Sequence, residues 1–427
     1  MFLWATSSAA DYDSNGFVFE SPLFFDVSPK KGDVRDLIPN GEGELHSFAL
    51  RSRKTDELID ETGQAGGGDV LISQNSGASK ANSLVYYGIH VNNVYAYFAA
   101  GVKAKIFRPS PKNPKHPNIH FPDAFPVEEN ELDQIIAYAK SNGAELQDAE
   151  ALTMELKTSW VNAATVANPD EYLIINAVVP NYNTTSDVKW TLIAEEPLVR
   201  MRLALVGMHV IGTVQGHPEM VWATYEHINN APDDKYYYAD ADGSIKSAGH
   251  KNNGNWLFMS KNGNFDKTNE PRAMDCSTKK PVNGCVAGDI VNKPDKTIGA
   301  SDTLRLNPWG NAGSLQTPDV VGNNAQLISL NNDIRKYLDG DVRKNYILRG
   351  AVWTAIGGIP TYDDSAPDPK PVQKGSLNLA NATMETYHQV VGFGGCFACH
   401  SIGKGNPGTD VSHIFGAILK SDPIIPR

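Results

Sequence analysis

The sequence predicts an α+β fold: a β-rich body followed by a small, partly helical C-terminal segment. Three observations lead there. Apolar, β-branched and aromatic residues cluster in short runs through the middle of the chain, among them "EYLIINAVVP", "VKWTLIA" and "VRMRLALVGMHVIGTV". Helical periodicity with proper start and stop signals is confined to a few places. A Pro/Asp-rich linker, "PTYDDSAPDPKPVQKG", sets the last stretch apart from everything before it.

Taken in order, residues 1–127 form an N-terminal region rich in Gly, Asn, Ser and Pro, with short strand-like runs such as "NSLVYYGIHVNNVYAYFAAG". It closes on a proline-dense loop, "RPSPKNPKHPNIHFPDAFP", whose His116 and His120 are read as part of a solvated loop. The central body spans 128–365. "PVEENELDQIIAYAKSNG" reads as a helix, with acidic residues in its first turn and "SNG" as its stop. "DAEALTMELKTSWVNAA" is a second helix candidate. Strand character then returns, and "HPEMVWATYEH" pairs with the run before it as a β-hairpin near 201–228. A turn centred on Pro218 would place His209 opposite His227, on one face with Tyr225. The long polar stretch 229–330 contains "DADG", which lacks the full ligand series of a calcium loop and reads as a turn. "LNNDIRKYL" through "ILRGAVWTAI" is helix-like or mixed. In the C-terminal segment, 366–427, "SLNLANATMETYHQVVG" predicts a helix from near Asn378 to Gly392.

The 427 residues carry a net charge of −11. That excludes ordinary nucleic-acid binding, which needs basic residues to displace counterions. No apolar run approaches the ~20 residues of a membrane span, so no transmembrane segment is expected.

Only four cysteines occur. Cys276 and Cys285 flank a polar loop; Cys396 and Cys399 stand in "GGCFACHSIGKG". The second pair has three possible readings. A zinc site needs four ligands, and its other pair would be Cys276 and Cys285, whose long spacing is not that of a zinc knuckle. A redox dithiol normally follows a strand and opens a helix, whereas glycines precede this one. Covalent haem attachment needs two thiols one short turn apart and a histidine directly after them to bind iron. Cys396, Cys399 and His400 meet all of these requirements.

"CFACH" is similar to the haem-binding motif of c-type cytochromes. The segments "LVGMHVIGTV…MVWATYEHINNAP" and "LANATMETYHQ" further resemble a large bacterial c-type cytochrome family with a C-terminal haem motif, from about Trp160 onward. The resemblance implies a secreted protein with one haem c, bound through thioethers to Cys396 and Cys399 and through iron to His400. The chain departs from small mitochondrial-type cytochromes: no methionine follows Cys399. A sixth ligand is therefore sought at His413 or upstream, at His209 or, by preference, His227. Met384 and His388 share one face of the expected helix and are weaker candidates.

Haem attachment of this type occurs outside the bacterial cytoplasm, so a periplasmic or extracellular location is expected. "MFLWATSSAADYDSNG" then reads as the tail of a signal peptide mostly absent from this chain. With two cysteines given to haem, Cys276 and Cys285 are expected to form a disulfide, which such a compartment permits. Three functions remain open: electron transfer to a redox partner protein; a haem enzyme or binder of peroxide or NO, with a small-molecule oxidant as partner; and an extracellular polymer-binding module carrying a redox haem.

Overall fold

The 17-residue run Leu198–Val214 becomes a single strand, and the fold is organised around it. The structure, a computed structural model, describes residues 1–41, 45–48, 69–78, 82–110, 120–249, 255–276, 288–361, 371–389, 395–403 and 405–425. In the first half, the strands are β1 (Phe24–Val27), β2 (Leu37–Pro39), β3 (His46–Ser47), β4 (Asp69–Val70), β5 (Tyr86–Asn92), β6 (Met154–Asn162), β7 (Ile174–Pro180), β8 (Tyr182–Asn183) and β9 (Lys189–Leu192). They continue with β10 (Leu198–Val214), β11 (His217–His227), β12 (Tyr236–Ala239), β13 (Ile245–Ala248), β14 (Ala273–Asp275), β15 (Ile290–Asn292), β16 (Tyr346–Thr354) and β17 (Gln373–Gly375). The helices are α1 (Phe2–Ala5), α2 (Asn93–Lys103), α3 (Glu129–Ser141), α4 (Pro318–Tyr337), α5 (Cys396–Cys399) and α6 (Phe415–Ile418).

The fold is α+β with a β-rich body. A ten-stranded sheet has the order β17-β16-β11-β10-β6-β5-β1-β2, with β7 paired to the first half of β10 and β3 added to β7. All of its pairings are antiparallel except β3 with β7. Strands from residues 1–127, 128–365 and 366–427 all join it, so the expected boundaries at 127 and 365 do not cut the sheet. Smaller sheets, β4-β14-β15-β9-β8 and β12-β13, lie outside it.

Each face of the large sheet is covered, because strands buried on both sides must hide both sets of side chains. One face presents Phe25, Ile89, Val91, Ile211, Trp222 and Val352 to α2, α3 and the C-terminal residues Phe397, Ile402, Val411 and Phe415. The other packs Phe24, Leu156, Met208 and Val210 against Phe2, Phe19, Phe48 and Trp190.

Helix α3 forms where the sequence predicts one, with Glu128 and Glu131 making a capping box. Three other expectations are corrected. "TMELKTSWVN" is not a helix but the buried strand β6, held between β5 and β10. Pairing on both edges overrides its helix-forming Met, Glu, Leu and Lys. The run after Asn92 is not strand but α2. The Asn92 side chain caps it by accepting from Tyr95 N, and burial of nearly all its residues removes the polar stripe that marks a surface helix. No α-helix forms over 378–389: this stretch is turns and a 3-10 helix, Thr386–His388, and 390–392 lie outside the described residues. The Asn381, Thr383 and Thr386 side chains bond nearby backbone groups or the sheet instead, the competition that makes such residues poor helix formers.

The hairpin register also differs. The turn is Gln215–Gly216, with Gly216 at φ +78°, and an irregularity sits opposite Thr213. There Met220 adopts φ +63° and the Glu219 carboxylate turns inward to accept from Thr354 N and Oγ1, both at 2.9 Å. The result is that His209 stands opposite Thr224, and His227 falls on the other face of the sheet. At the N-terminus, Phe2 stacks on Tyr225 with ring centroids 4.2 Å apart, and Ala5 and Ala9 are fully buried.

Candidate functional site

The site starts from one helical turn. Gly395 enters it at φ +69°, and a Cβ there would lie 2.1 Å from Leu377 O, so only glycine fits. Turn α5 then carries Cys396 and Cys399 as free thiols, with His400 as its cap; His400 N donates to Cys396 O at 2.9 Å.

The His400 Nδ1 lies 2.8 Å from Val411 O. A carbonyl only accepts, so Nδ1 carries the hydrogen and Nε2 keeps its lone pair. Burial holds this imidazole well below the usual histidine range, with further contributions from His413, Lys157 and His209. A neutral ring, oriented by a backbone carbonyl and offering Nε2, is what a metal-binding histidine requires. The Trp222 ring lies 4.0 Å from the His400 ring, and His413 stacks on it at 4.1 Å with an interplanar angle of 21°.

The thiols are not activated. Burial, and then the Glu385 carboxylate, push both Cys396 and Cys399 above the ordinary thiol range. A redox dithiol depends on the opposite shift. Cys276 is disulfide-bonded, which removes it as a ligand for a four-coordinate zinc site. Cys285, its expected partner, lies outside the described residues.

The sheet supplies the floor. Lys157 on β6, His209 on β10 and Thr224 on β11 are cross-strand neighbours on the face that also carries Trp222. Glu385 joins them: His209 Nε2 lies 2.9 Å from Glu385 Oε1, and Glu385 Oε2 accepts from Asn381 N at 2.7 Å. Burial would raise the Glu385 carboxyl, but His209, with the Asn381 N–H and Lys157, together leave it below the usual range. The segment Asn381–Glu385 presses on the sheet at Gly207. A Cβ there would meet Thr383 Oγ1 at 2.5 Å, Ser159 Oγ at 2.7 Å and Asn381 Oδ1 at 2.9 Å.

Of the residues the sequence singles out, Cys396, Cys399 and His400 sit together, with His413 and His209 beside them. His413 lies face to face with His400, and its Nε2 is 3.1 Å from Cys399 O. His413 thus lies flat against the His400 ring. His227 is remote. Its ring stacks on Tyr172 at 3.7 Å, its Nε2 donates to Glu171 O at 3.0 Å, and its Nδ1 accepts from Asn229 N at 3.2 Å. Burial lowers it to about 3. Preference for His227 over His209 is therefore corrected: His227 is a core histidine with both nitrogens engaged. Met384 is buried in the core beside Val206 and Phe258. Asp240–Gly243 closes the β12–β13 hairpin as an ordinary turn. His120 lies 3.8 Å from Asp123, and His116 is outside the described residues.

Sequence reasoning missed Val411, Trp222, Lys157 and Glu385. Only Trp222 carried a signal: the hairpin that contains it already stood out. Comparison with family models, with curated proteins and with solved structures finds no match for this chain.

Proposed function

We propose that this chain is an exported monohaem c-type cytochrome that transfers electrons through one haem attached to Cys396 and Cys399. The observation that carries the reading is His400, a neutral imidazole fixed by Val411 O next to two free thiols on one turn. The donor set fits the group. Thioether attachment leaves the sulfurs uncharged, so the burial and the Glu385 charge that disfavour thiolates do not oppose it. Bound haem would supply a one-electron ferric/ferrous couple, whose potential follows from axial ligation and burial.

The chain's own residues would do the rest. His400 would offer Nε2 to iron while Val411 O fixes the ring's orientation. Trp222 and His413 would hold the imidazole between flat surfaces. Phe397, Ile402 and Val411 would exclude water, since they belong to the core cluster on the face of the sheet that carries Trp222. The net charge of −11 would favour a basic redox partner by steering. A periplasmic or extracellular location follows from the attachment chemistry, and the disulfide-bonded Cys276 is compatible with it.

One observation favours a second reading, an open iron site for a small ligand. Lys157, His209 and Glu385 gather polar and charged groups beside His400, where a pure electron carrier has no need of them. Carbon monoxide separates the two. The protein is produced with haem-attachment machinery, reduced, and its spectrum recorded with and without CO. An unchanged spectrum supports electron transfer; ready CO binding supports the open site. Absence of any covalent haem under conditions that mature a control cytochrome would refute both.

A further inference from the structure

A second cluster of metal-binding side chains lies on the opposite face of the sheet. Asp26 on β1, His46 on β3 and His90 on β5 come from sequence positions far apart, yet a ligand atom from each lies within 4.8 Å of the others. His46 Nδ1 is 2.8 and 2.9 Å from the two Asp26 carboxylate oxygens, and His90 Nδ1 is 2.7 Å from Oδ1. Pairing places Asp26 opposite His90 and His90 opposite Leu156, so the cluster faces away from Lys157 and His209. Phe19, Phe48 and Trp160 surround it.

The outer nitrogens have oxygen neighbours of their own. His90 Nε2 is 3.3 Å from Thr158 Oγ1, a hydroxyl that can accept a hydrogen from the ring. His46 Nε2 is 3.7 Å from a Glu20 carboxylate oxygen. Each ring thus has Asp26 at Nδ1 and a polar oxygen, of Thr158 or Glu20, beyond Nε2. With a cation at the Nδ1 side, each ring would point Nε2–H outward to that oxygen and offer Nδ1 inward. Such outward donation to a hydroxyl or carboxylate is the usual support of a metal-binding histidine.

We propose that Asp26 Oδ, His46 Nδ1 and His90 Nδ1 bind one divalent first-row transition ion of the zinc(II) class. Two imidazole nitrogens and one carboxylate suit such an ion, whereas calcium and magnesium take oxygen ligands throughout. The present nitrogen–oxygen separations of 2.7–2.9 Å would open to about 3.3–3.6 Å to admit a tetrahedral ion at about 2.0–2.2 Å from each ligand. A cavity of about 100 Å³ lined by Glu20, Asp26, His46 and Asn40 adjoins the cluster and supplies an entry path. The site is independent of the haem reading, because it shares no residue with it.

The test uses the full chain, stripped with a chelator and then titrated with zinc alone. Metal content after gel filtration is expected to be one zinc per chain, with no calcium or magnesium retained. Asp26→Asn and His90→Gln, checked for folding by circular dichroism, are each expected to weaken zinc binding about 100-fold or more. Zinc-edge X-ray absorption on the unaltered protein is expected to give imidazole and oxygen scattering without sulfur, which keeps the test decisive if a variant fails to fold. Lack of zinc uptake by the unaltered chain, a sulfur shell that points to Cys396 and Cys399, or undiminished binding by a folded Asp26→Asn protein would each overturn the assignment.

Discussion

At the scale of single residues, histidine chemistry is decided by what each ring nitrogen meets. His400 spends Nδ1 on Val411 O and keeps Nε2, whereas His227 spends both nitrogens inside the core. The two should therefore fail differently when changed. His400→Ala, expressed with haem-attachment machinery, is expected to mature poorly or to give a haem with altered ligation, read from its ferric and ferrous spectra. Normal maturation with an unchanged spectrum would remove His400 from the site. His227 instead sets an acid limit. Its imidazole is lowered from 6.5 to about 3 in the folded chain, with burial the first cause. Between those values the unfolded chain binds a proton that the native chain refuses, so stability falls as pH drops through that window, by a few kcal/mol in all. His227→Phe keeps a ring against Tyr172 but loses two hydrogen bonds. It is expected to be less stable at pH 8 yet to show a shallower loss of stability toward acid, measured by denaturant unfolding at several pH values. An equally steep acid dependence would assign the effect to other groups.

At the scale of elements, the site depends on how closely the segment before α5 lies on the sheet. Gly207 allows that approach, since a single added carbon would overlap Thr383, Ser159 and Asn381. Gly207→Ala is expected to cost about 1–3 kcal/mol, seen as a lower denaturation midpoint. An unchanged midpoint would mean that the segment yields without penalty. This contact also shows what a sequence can and cannot reveal. Strands β7, β9, β10 and β11 and helix α3 were legible because their side-chain periodicity and end signals act locally. Strand β6 was not, because its helix-forming composition is overruled by partners on both edges. The hairpin was legible but its register was not. The inward turn of Glu219 to Thr354, on a strand more than a hundred residues later, goes with the irregularity that separates His209 from His227. At the site, three adjacent residues of a motif could be read directly. Val411 contributes a backbone carbonyl, which no side-chain pattern reports, and Lys157 and Glu385 meet His209 only after the chain has folded.

For the molecule as a whole, one sheet unites strands from the N-terminal, central and C-terminal stretches, and the C-terminal segment packs on a face built largely from the others. A short haem segment cannot enclose a macrocycle alone, because small units bury too little surface; here the sheet supplies the floor that such a segment would need. No helix among the described residues is long and apolar enough to cross a membrane. With a net charge of −11, electron exchange with a basic cytochrome should slow as salt rises from about 10 mM to about 150 mM, because the screening length contracts from about 30 Å to about 8 Å. A salt-independent rate, followed by stopped-flow absorbance, would argue that charge does not guide the encounter. The most direct measurement is the mass of the proteolytic peptide that contains Cys396, Cys399 and His400, from protein exported by a host that matures a control c-type cytochrome. The expected result is a peptide heavier by one haem, bound through both cysteines. The same peptide recovered at its unmodified mass, beside a fully matured control, would contradict it.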